Sequence, residues 1–231
     1  MKVVLLPGLD GTGILFKPFI EVLSSEIKVQ VISYPTDKKL SYPELVDFVL
    51  SKLPNEDFIL VGESFSGPIA YQVALNKPEH LLSVVFVATF LTAPKKKLLN
   101  LTKILPTKLF LKMPIPNVLV KNYLFGSGIS DEIIELFKKT LKIVSPEIFL
   151  FTLGEISKLH RHQEACDIKA IYIQATDDKL VPNSSVEKFK KVFKNITILC
   201  LEGTHFILQA NPMACAEIIE NEIRLITRRS I

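Results

Sequence analysis

The stretch Gly62-Glu63-Ser64-Phe65-Ser66-Gly67 constrains this chain more than any other. It follows the apolar run Phe58-Ile59-Leu60-Val61, which predicts a buried strand, and it precedes Pro68-Ile69-Ala70-Tyr71-Gln72-Val73-Ala74-Leu75, which predicts the start of a helix. A serine on a sharp strand-to-helix turn takes up a strained backbone, and small residues two before and two after it let the chain double back. Gly62 and Ser66 hold those two positions. Pro68 falls in the first helical turn, where its missing N–H costs nothing. Such a turn lifts the Ser64 hydroxyl above the sheet edge, near a helix N-terminus, a setting that suits a nucleophile passing through an oxyanion. A serine in a glycine-rich turn is ordinarily only a turn residue. What separates the two readings is whether an acid, a histidine and oxyanion donors follow in the right places.

The rest of the chain alternates between short apolar runs and helix-like segments. Strands are predicted over 2–6, 28–33, 58–62, 83–88, 169–175 and 196–201, and helices over 14–25, 43–53, 66–76, 183–193 and 211–226. Val84-Val85-Phe86-Val87 and Ile171-Tyr172-Ile173 are apolar on both faces, as in strands of a parallel sheet covered by helices. The alternation predicts a doubly wound α/β fold. A length of 231 residues with 48% apolar residues suits one large core. No run of eighteen apolar residues suggests a membrane span, and Pro7-Gly8 interrupts Met1–Leu6 too early for a signal peptide, so a first core strand is the better reading. Cys166, Cys200 and Cys215 are odd in number and widely spaced, which predicts reduced thiols in a cytoplasmic protein and no metal site.

Residues 92–165 break the alternation and are too long for a simple loop. Four prolines (Pro94, Pro106, Pro114, Pro116) open the segment, and helical periodicity follows in Ile133-Ile134-Leu136-Phe137-Leu141. We read it as an inserted helical cap, with 1–91 and 166–231 forming the core domain. Between Thr92 and Gly128 stand seven lysines (95, 96, 97, 103, 108, 112 and 121) and no acid. The cap carries a net +6 and the remainder −2, so the whole excess of +4 lies there. A solvated lysine face is the ordinary fate of such residues. The interleaved leucines, isoleucines and phenylalanines also suit an anionic, partly apolar partner, such as an anionic membrane surface or lipid.

Two later segments run from strand into turn at the edge where Ser64 is expected. Ala175-Thr176-Asp177-Asp178-Lys179-Leu180-Val181-Pro182 offers two carboxylates, of which at most one is a candidate to orient a histidine. Leu201-Glu202-Gly203-Thr204-His205-Phe206 brings His205 to the same edge. His80 precedes a strand and lies at the opposite edge, while His160 and His162 sit in the cap, two apart, and share no helix face. The first loop, Pro7-Gly8-Leu9-Asp10-Gly11-Thr12-Gly13, has neither G-x-G-x-x-G nor Gly-Lys-Ser/Thr, which argues against a dinucleotide or nucleotide site; no nucleic-acid partner is expected. The loop reads as a wide, flexible turn whose backbone N–H groups face the mouth of the sheet.

Taken together, Leu6-Pro7-Gly8-Leu9, Gly62–Gly67, Asp178-Lys179-Leu180-Val181-Pro182 and Gly203-Thr204-His205-Phe206 resemble the α/β-hydrolase superfamily over almost the full chain, in the order serine, acid, histidine. The resemblance implies a three-layer α/β/α sandwich with a mainly parallel sheet of about six strands, the first two in swapped order, under an inserted helical cap. It implies Ser64 as nucleophile, His205 as base and Asp178, four residues before a proline, as the acid. It also implies the N–H groups of Leu9 and Phe65 as oxyanion donors. Two positions depart from the pattern: Pro7 stands where a histidine is common, and Ser66 where the elbow has its second glycine. The function implied is a serine hydrolase acting on a small-molecule acyl ester through an acyl-enzyme, without metal or organic cofactor. Thioester hydrolysis and acyl transfer would use the same residues. A non-catalytic ligand-binding protein on this fold is the rival from another class.

Overall fold

The computed structural model describes residues 1–94, 117, 121–126, 128–159 and 164–229. Six strands, β1 (Lys2–Leu6), β2 (Lys28–Val31), β3 (Phe58–Glu63), β4 (Leu81–Val87), β5 (Lys169–Ala175) and β6 (Ile196–Leu201), form one sheet in the order β2-β1-β3-β4-β5-β6. Every neighbouring pair is parallel, with registers such as Leu6 opposite Gly62 and Ala175 opposite Leu201. The first two strands are therefore swapped in space, as expected. All the strands end at one edge, and the turns that follow β1, β3, β5 and β6 leave from it.

Period-two alternation divides the core into two layers. Val4, Leu6, Phe58, Leu60, Val84, Phe86, Ala170 and Tyr172 face α2 (Tyr42–Leu50), α3 (Gly67–Leu75) and α6 (Val186–Val192). Val3, Leu5, Ile59, Val61, Val85, Val87, Ile171 and Ile173 face α1 (Lys17–Val22), α7 (Ile207–Ala210) and α8 (Pro212–Arg229). Each central strand is thus apolar on both sides because both sides are covered. Two predicted helices begin as 3₁₀ turns, Ile14–Phe16 ahead of α1 and Asn183–Ser185 ahead of α6. The short α7 went unpredicted: four residues are too few to show helical periodicity.

Between β4 and β5 the structure describes a π-helical turn, Lys121–Phe125, and two helices, α4 (Asp131–Ile143) and α5 (Pro146–Ser157). Ser130 and Ser145 cap α4 and α5 by accepting from the N–H groups of Ile133 and Ile148. Phe125, Ile129, Ile134 and Phe137 pack with Leu15 and Phe206 in a third apolar cluster, joining this segment to the sheet edge. Phe125 stacks on Phe206 at 4.5 Å, and Phe137 meets both rings edge-on. Of the seven lysines singled out in the sequence, Lys121 pairs with Asp131 at 3.0 Å, and the other six lie outside the described residues, as do His160 and His162. Among the described residues no helix is long and apolar enough to cross a membrane.

Phe137 belongs to the segment between β4 and β5 but is buried against the sheet edge. Phe137→Ala should cost about 3 kcal/mol of stability, the usual loss for an aromatic core truncation, measured as a lower midpoint in urea unfolding.

Candidate active site

All six residues of β3 are buried, and the strand stops at Glu63. Ser64 then takes φ +48°, left-handed for a residue with a side chain, and opens a 3₁₀ turn, Ser64–Ser66, that runs into α3. That conformation costs on the order of 1–2 kcal/mol. Two glycines permit it. A Cβ on Gly62 would lie 2.8 Å from the Cβ of Ala70, and one on Gly67 would overlap the side chain of Thr89. Thr89 in turn donates its hydroxyl to the Ser64 carbonyl. The small residue needed after Ser64 is thus Gly67. Ser66 sits in ordinary right-handed geometry, fully buried, and its side chain is accommodated.

The Ser64 Oγ lies 2.8 Å from His205 Nε2, and His205 Nδ1 lies 2.8 Å from Asp178 Oδ2. A carboxylate only accepts, so Nδ1 carries the proton and Nε2 is left to accept from Ser64. The other oxygen of Asp178 accepts from the N–H groups of Leu180 and Val181, each at 2.8 Å, which fixes the carboxylate in its turn. The side chains of His205 and Asp178 are almost wholly buried. Asp177 points outward, two-thirds exposed, with Lys179 at 3.8 Å. Its backbone N–H donates to the Gly203 carbonyl at 2.9 Å, so the acid turn is fastened to the histidine loop. His80 lies at the other end of the sheet, 3.2 Å from Asp57. Among the described residues no group of His, Cys, Asp and Glu is arranged to hold a metal ion.

Phe65 lies in the first turn of its helix, where N–H groups lack intrahelical acceptors. Leu9 lies in the first loop, which is tied down rather than loose. Gly11 N–H donates to the Gly8 carbonyl (3.0 Å) and Tyr34 N–H to the Gly11 carbonyl (2.7 Å). The Asp10 carboxylate accepts from the Thr12 N–H and hydroxyl at 2.9 and 2.6 Å. Leu9 and Phe65 also line a small, partly open pocket, together with Tyr34, Leu40, Leu45 and Ile148.

The sequence reading missed three polar groups beside Ser64: Glu63 and Gln209, both buried, and the partly buried Asp10. Glu63 accepts a hydrogen bond from Gln209 Nε2 at 3.1 Å, and Gln209 Nε2 also reaches the Leu15 carbonyl at 3.3 Å. Oxygens of Glu63 and Asp10 flank Gly8, each 3.8 Å from where its Cβ would stand, and the Ser64 Cβ lies at the same distance. Burial pushes the Glu63 carboxyl up to about 7, against a smaller lowering by the Gln209 hydrogen bond, and the nearby Asp10 raises it further. Burial raises Asp10 as well. The signal for Glu63 was available: a carboxylate closing a strand otherwise wholly apolar must be buried with it.

A sheet of this order with a left-handed serine after its third strand defines the α/β-hydrolase fold, and the chain is an α/β-hydrolase-fold protein. A family model described as the alpha/beta hydrolase fold matches residues 24–113. Phytyl ester synthase 1 (chloroplastic) of Arabidopsis thaliana is 29% identical over 119 residues, which is 47% of this chain but 17% of that much longer protein. A lipase-esterase related protein from Clostridium acetobutylicum superposes with a TM-score of 0.76 at 20% identity, covering 95% of this chain and 93% of that one. The type II thioesterase BorB of the borrelidin biosynthetic cluster superposes at 0.71 and 17% identity, covering 95% and 91%.

Glu63 gives the site a pH signature. The folded protein keeps a proton on Glu63 that the unfolded chain releases near the usual 4.5, so stability falls as pH rises from about 4.5 to about 7 and the loss is complete above that. Glu63→Gln should flatten this fall and make the protein more stable at pH 8 by about 3 kcal/mol, at ~1.4 kcal/mol per tenfold in proton affinity. Urea denaturation at pH 5 and pH 8 checks it. An equal pH dependence in parent and variant would mean that Glu63 ionises freely.

Proposed function

We propose that this protein is a serine hydrolase that cleaves carboxylic acyl esters, with Ser64 as nucleophile, His205 as general base and acid, and Asp178 holding His205. The observation that carries the reading is the hydrogen-bonded chain Ser64 Oγ–His205 Nε2, His205 Nδ1–Asp178 Oδ2, closed at 2.8 Å on both sides and anchored on a left-handed serine. The Ser64 oxygen attacks the acyl carbonyl carbon while its proton passes to Nε2. The carbonyl oxygen becomes an oxyanion held by the N–H groups of Leu9 and Phe65. Collapse breaks the ester C–O bond, and the alcohol departs with the proton from Nε2. Water then attacks the acyl-enzyme along the same route, giving up its proton to Nε2, and Ser64 regains it as the acid leaves. Asp178 keeps Nδ1 protonated and stabilises the imidazolium that forms at each attack.

We assign the acyl group to the small pocket beside Leu9 and Phe65, whose apolar walls suit a hydrocarbon chain. A second reading, acyl transfer from an ester or thioester to an alcohol, draws support from the segment similar to phytyl ester synthase 1. It needs the same residues and differs only in which acceptor meets the acyl-enzyme.

Ser64→Ala should remove turnover of a p-nitrophenyl ester by several powers of ten, and a fluorophosphonate should label Ser64 in the parent alone. Asp178→Asn should cost nearly as much by imposing the wrong His205 tautomer, whereas Asp177→Asn should stay within a few-fold. The reverse ranking of the two asparagine variants would sink the assignment of the acid. Adding glycerol or a longer alcohol to the assay and measuring new ester against free acid separates transfer from hydrolysis.

Ile148→Trp should narrow the cavity. We expect kcat/KM for an octanoyl ester to fall about tenfold relative to an acetyl ester, the scale of one or two lost methylene contacts. An unchanged chain-length profile would place the acyl group elsewhere.

A further inference from the structure

An oxyanion hole needs its two N–H groups at a fixed separation, and here they belong to different elements. Phe65 rides on the turn after β3, and Leu9 on the loop after β1. The ladder between the two strands ends at Leu6 opposite Gly62, so beyond that pair something else must hold the loop to the turn. Pro7 opens the loop and has no N–H, which leaves its carbonyl as the one backbone group through which it can be tied.

That carbonyl is tied by Ser66. The Ser66 hydroxyl, fully buried, donates to the Pro7 oxygen. Its single hydrogen is spent there, so the 2.5 Å contact between Ser66 Oγ and the Tyr34 hydroxyl has Tyr34 as donor. Burial holds the Tyr34 phenol above its ordinary range and keeps its proton in place at any working pH. Tyr34 also grips the far end of the loop, its backbone N–H donating to the Gly11 carbonyl at 2.7 Å. The loop is therefore bracketed at Pro7 and at Gly11, with Leu9 midway. Phe65 is held on its own side: Tyr42 stacks on its ring at 4.7 Å and donates its hydroxyl to the Phe65 carbonyl at 3.3 Å.

We propose that the hydroxyl chain Tyr34–Ser66–Pro7 is a positioning clamp that sets the Leu9 N–H against the Phe65 N–H. It rests on the reading of Ser64 as nucleophile and of these two groups as oxyanion donors. Ser66 touches no reacting atom and acts through the loop; Tyr34 acts through Ser66 and also lines the pocket beside Leu9. A glycine at position 66 would leave the Pro7 carbonyl without its donor, so the departure from the elbow pattern at this position has a use.

The test compares Ser66→Ala, Ser66→Gly and Tyr34→Phe, with folding checked by circular dichroism and thermal unfolding. The readouts are kcat, KM, the pH profile, and inhibition by a trifluoromethyl ketone, which forms an oxyanion on the serine. Ser66→Ala and Ser66→Gly should lower kcat by roughly tenfold to a hundredfold, somewhat less than deleting an oxyanion donor outright. KM should stay within about threefold, and the pH at which the base titrates should not move. Affinity for the ketone should fall by the same factor as kcat/KM. Tyr34→Phe should lose less, about threefold to tenfold, because Ser66 still reaches Pro7. A folded Ser66 variant with parental kcat and ketone affinity would overturn the clamp. If neither Ser66 variant folds, Tyr34→Phe decides, and parental kinetics there would overturn it equally. Absence of a fluorophosphonate adduct on Ser64 in the parent would instead bring down the underlying reading and the clamp with it.

Discussion

The reversal of the chain at Ser64 is the constraint on which the rest depends. A left-handed residue with a side chain, placed between a fully buried strand and a helix, survives only if its surroundings leave the backbone no roomier alternative. Gly62 and Gly67 remove the two side chains that would collide with Ala70 and Thr89, and Thr89 holds the Ser64 carbonyl. Because β3 lies inside a parallel sheet, that strained residue emerges at the edge where the turns after β1, β5 and β6 also emerge. The meeting of Ser64, His205, Asp178 and the first loop follows from strand direction. Proximity in sequence contributes nothing, since 141 positions separate Ser64 from His205.

The sheet was legible in the sequence because its strands are apolar on both faces and alternate with helices, a pattern with few other solutions. Ser64, the pair Asp177 and Asp178, and His205 could be brought together from the sequence because each stands in a strand-to-loop transition, and strand direction puts all such transitions at one edge; the choice of Asp178 within the pair came only from the resemblance. What stayed hidden depended on tertiary packing. Nothing local shows that Gln209, on a four-residue helix late in the chain, reaches Glu63, or that Tyr34, before α2, reaches Ser66. The elbow motif suggested that position 66 needs a small residue for clearance. The structure gives that requirement to Gly67 and gives Ser66 a hydrogen bond.

Buried charge near Ser64 works against an oxyanion and in favour of an imidazolium. Glu63 and Asp10 both stand close to Gly8, and each ionises less readily than an exposed carboxyl would. Desolvation keeps their charges from opposing the negative charge expected at Leu9 and Phe65. Asp178 is held in place by two backbone N–H groups and by His205.

The segment between β4 and β5 grips the loop of His205 on both sides of that residue. Thr204 donates its hydroxyl to the Leu124 carbonyl at 2.6 Å, and Phe206 stacks on Phe125. Leu124 and Phe125 belong to one π-helical turn, so that turn and the residues flanking His205 form a single mechanical unit. Both neighbours of His205 are thus moored to the same turn, so the position of that turn and the seating of the imidazole beside Ser64 are coupled.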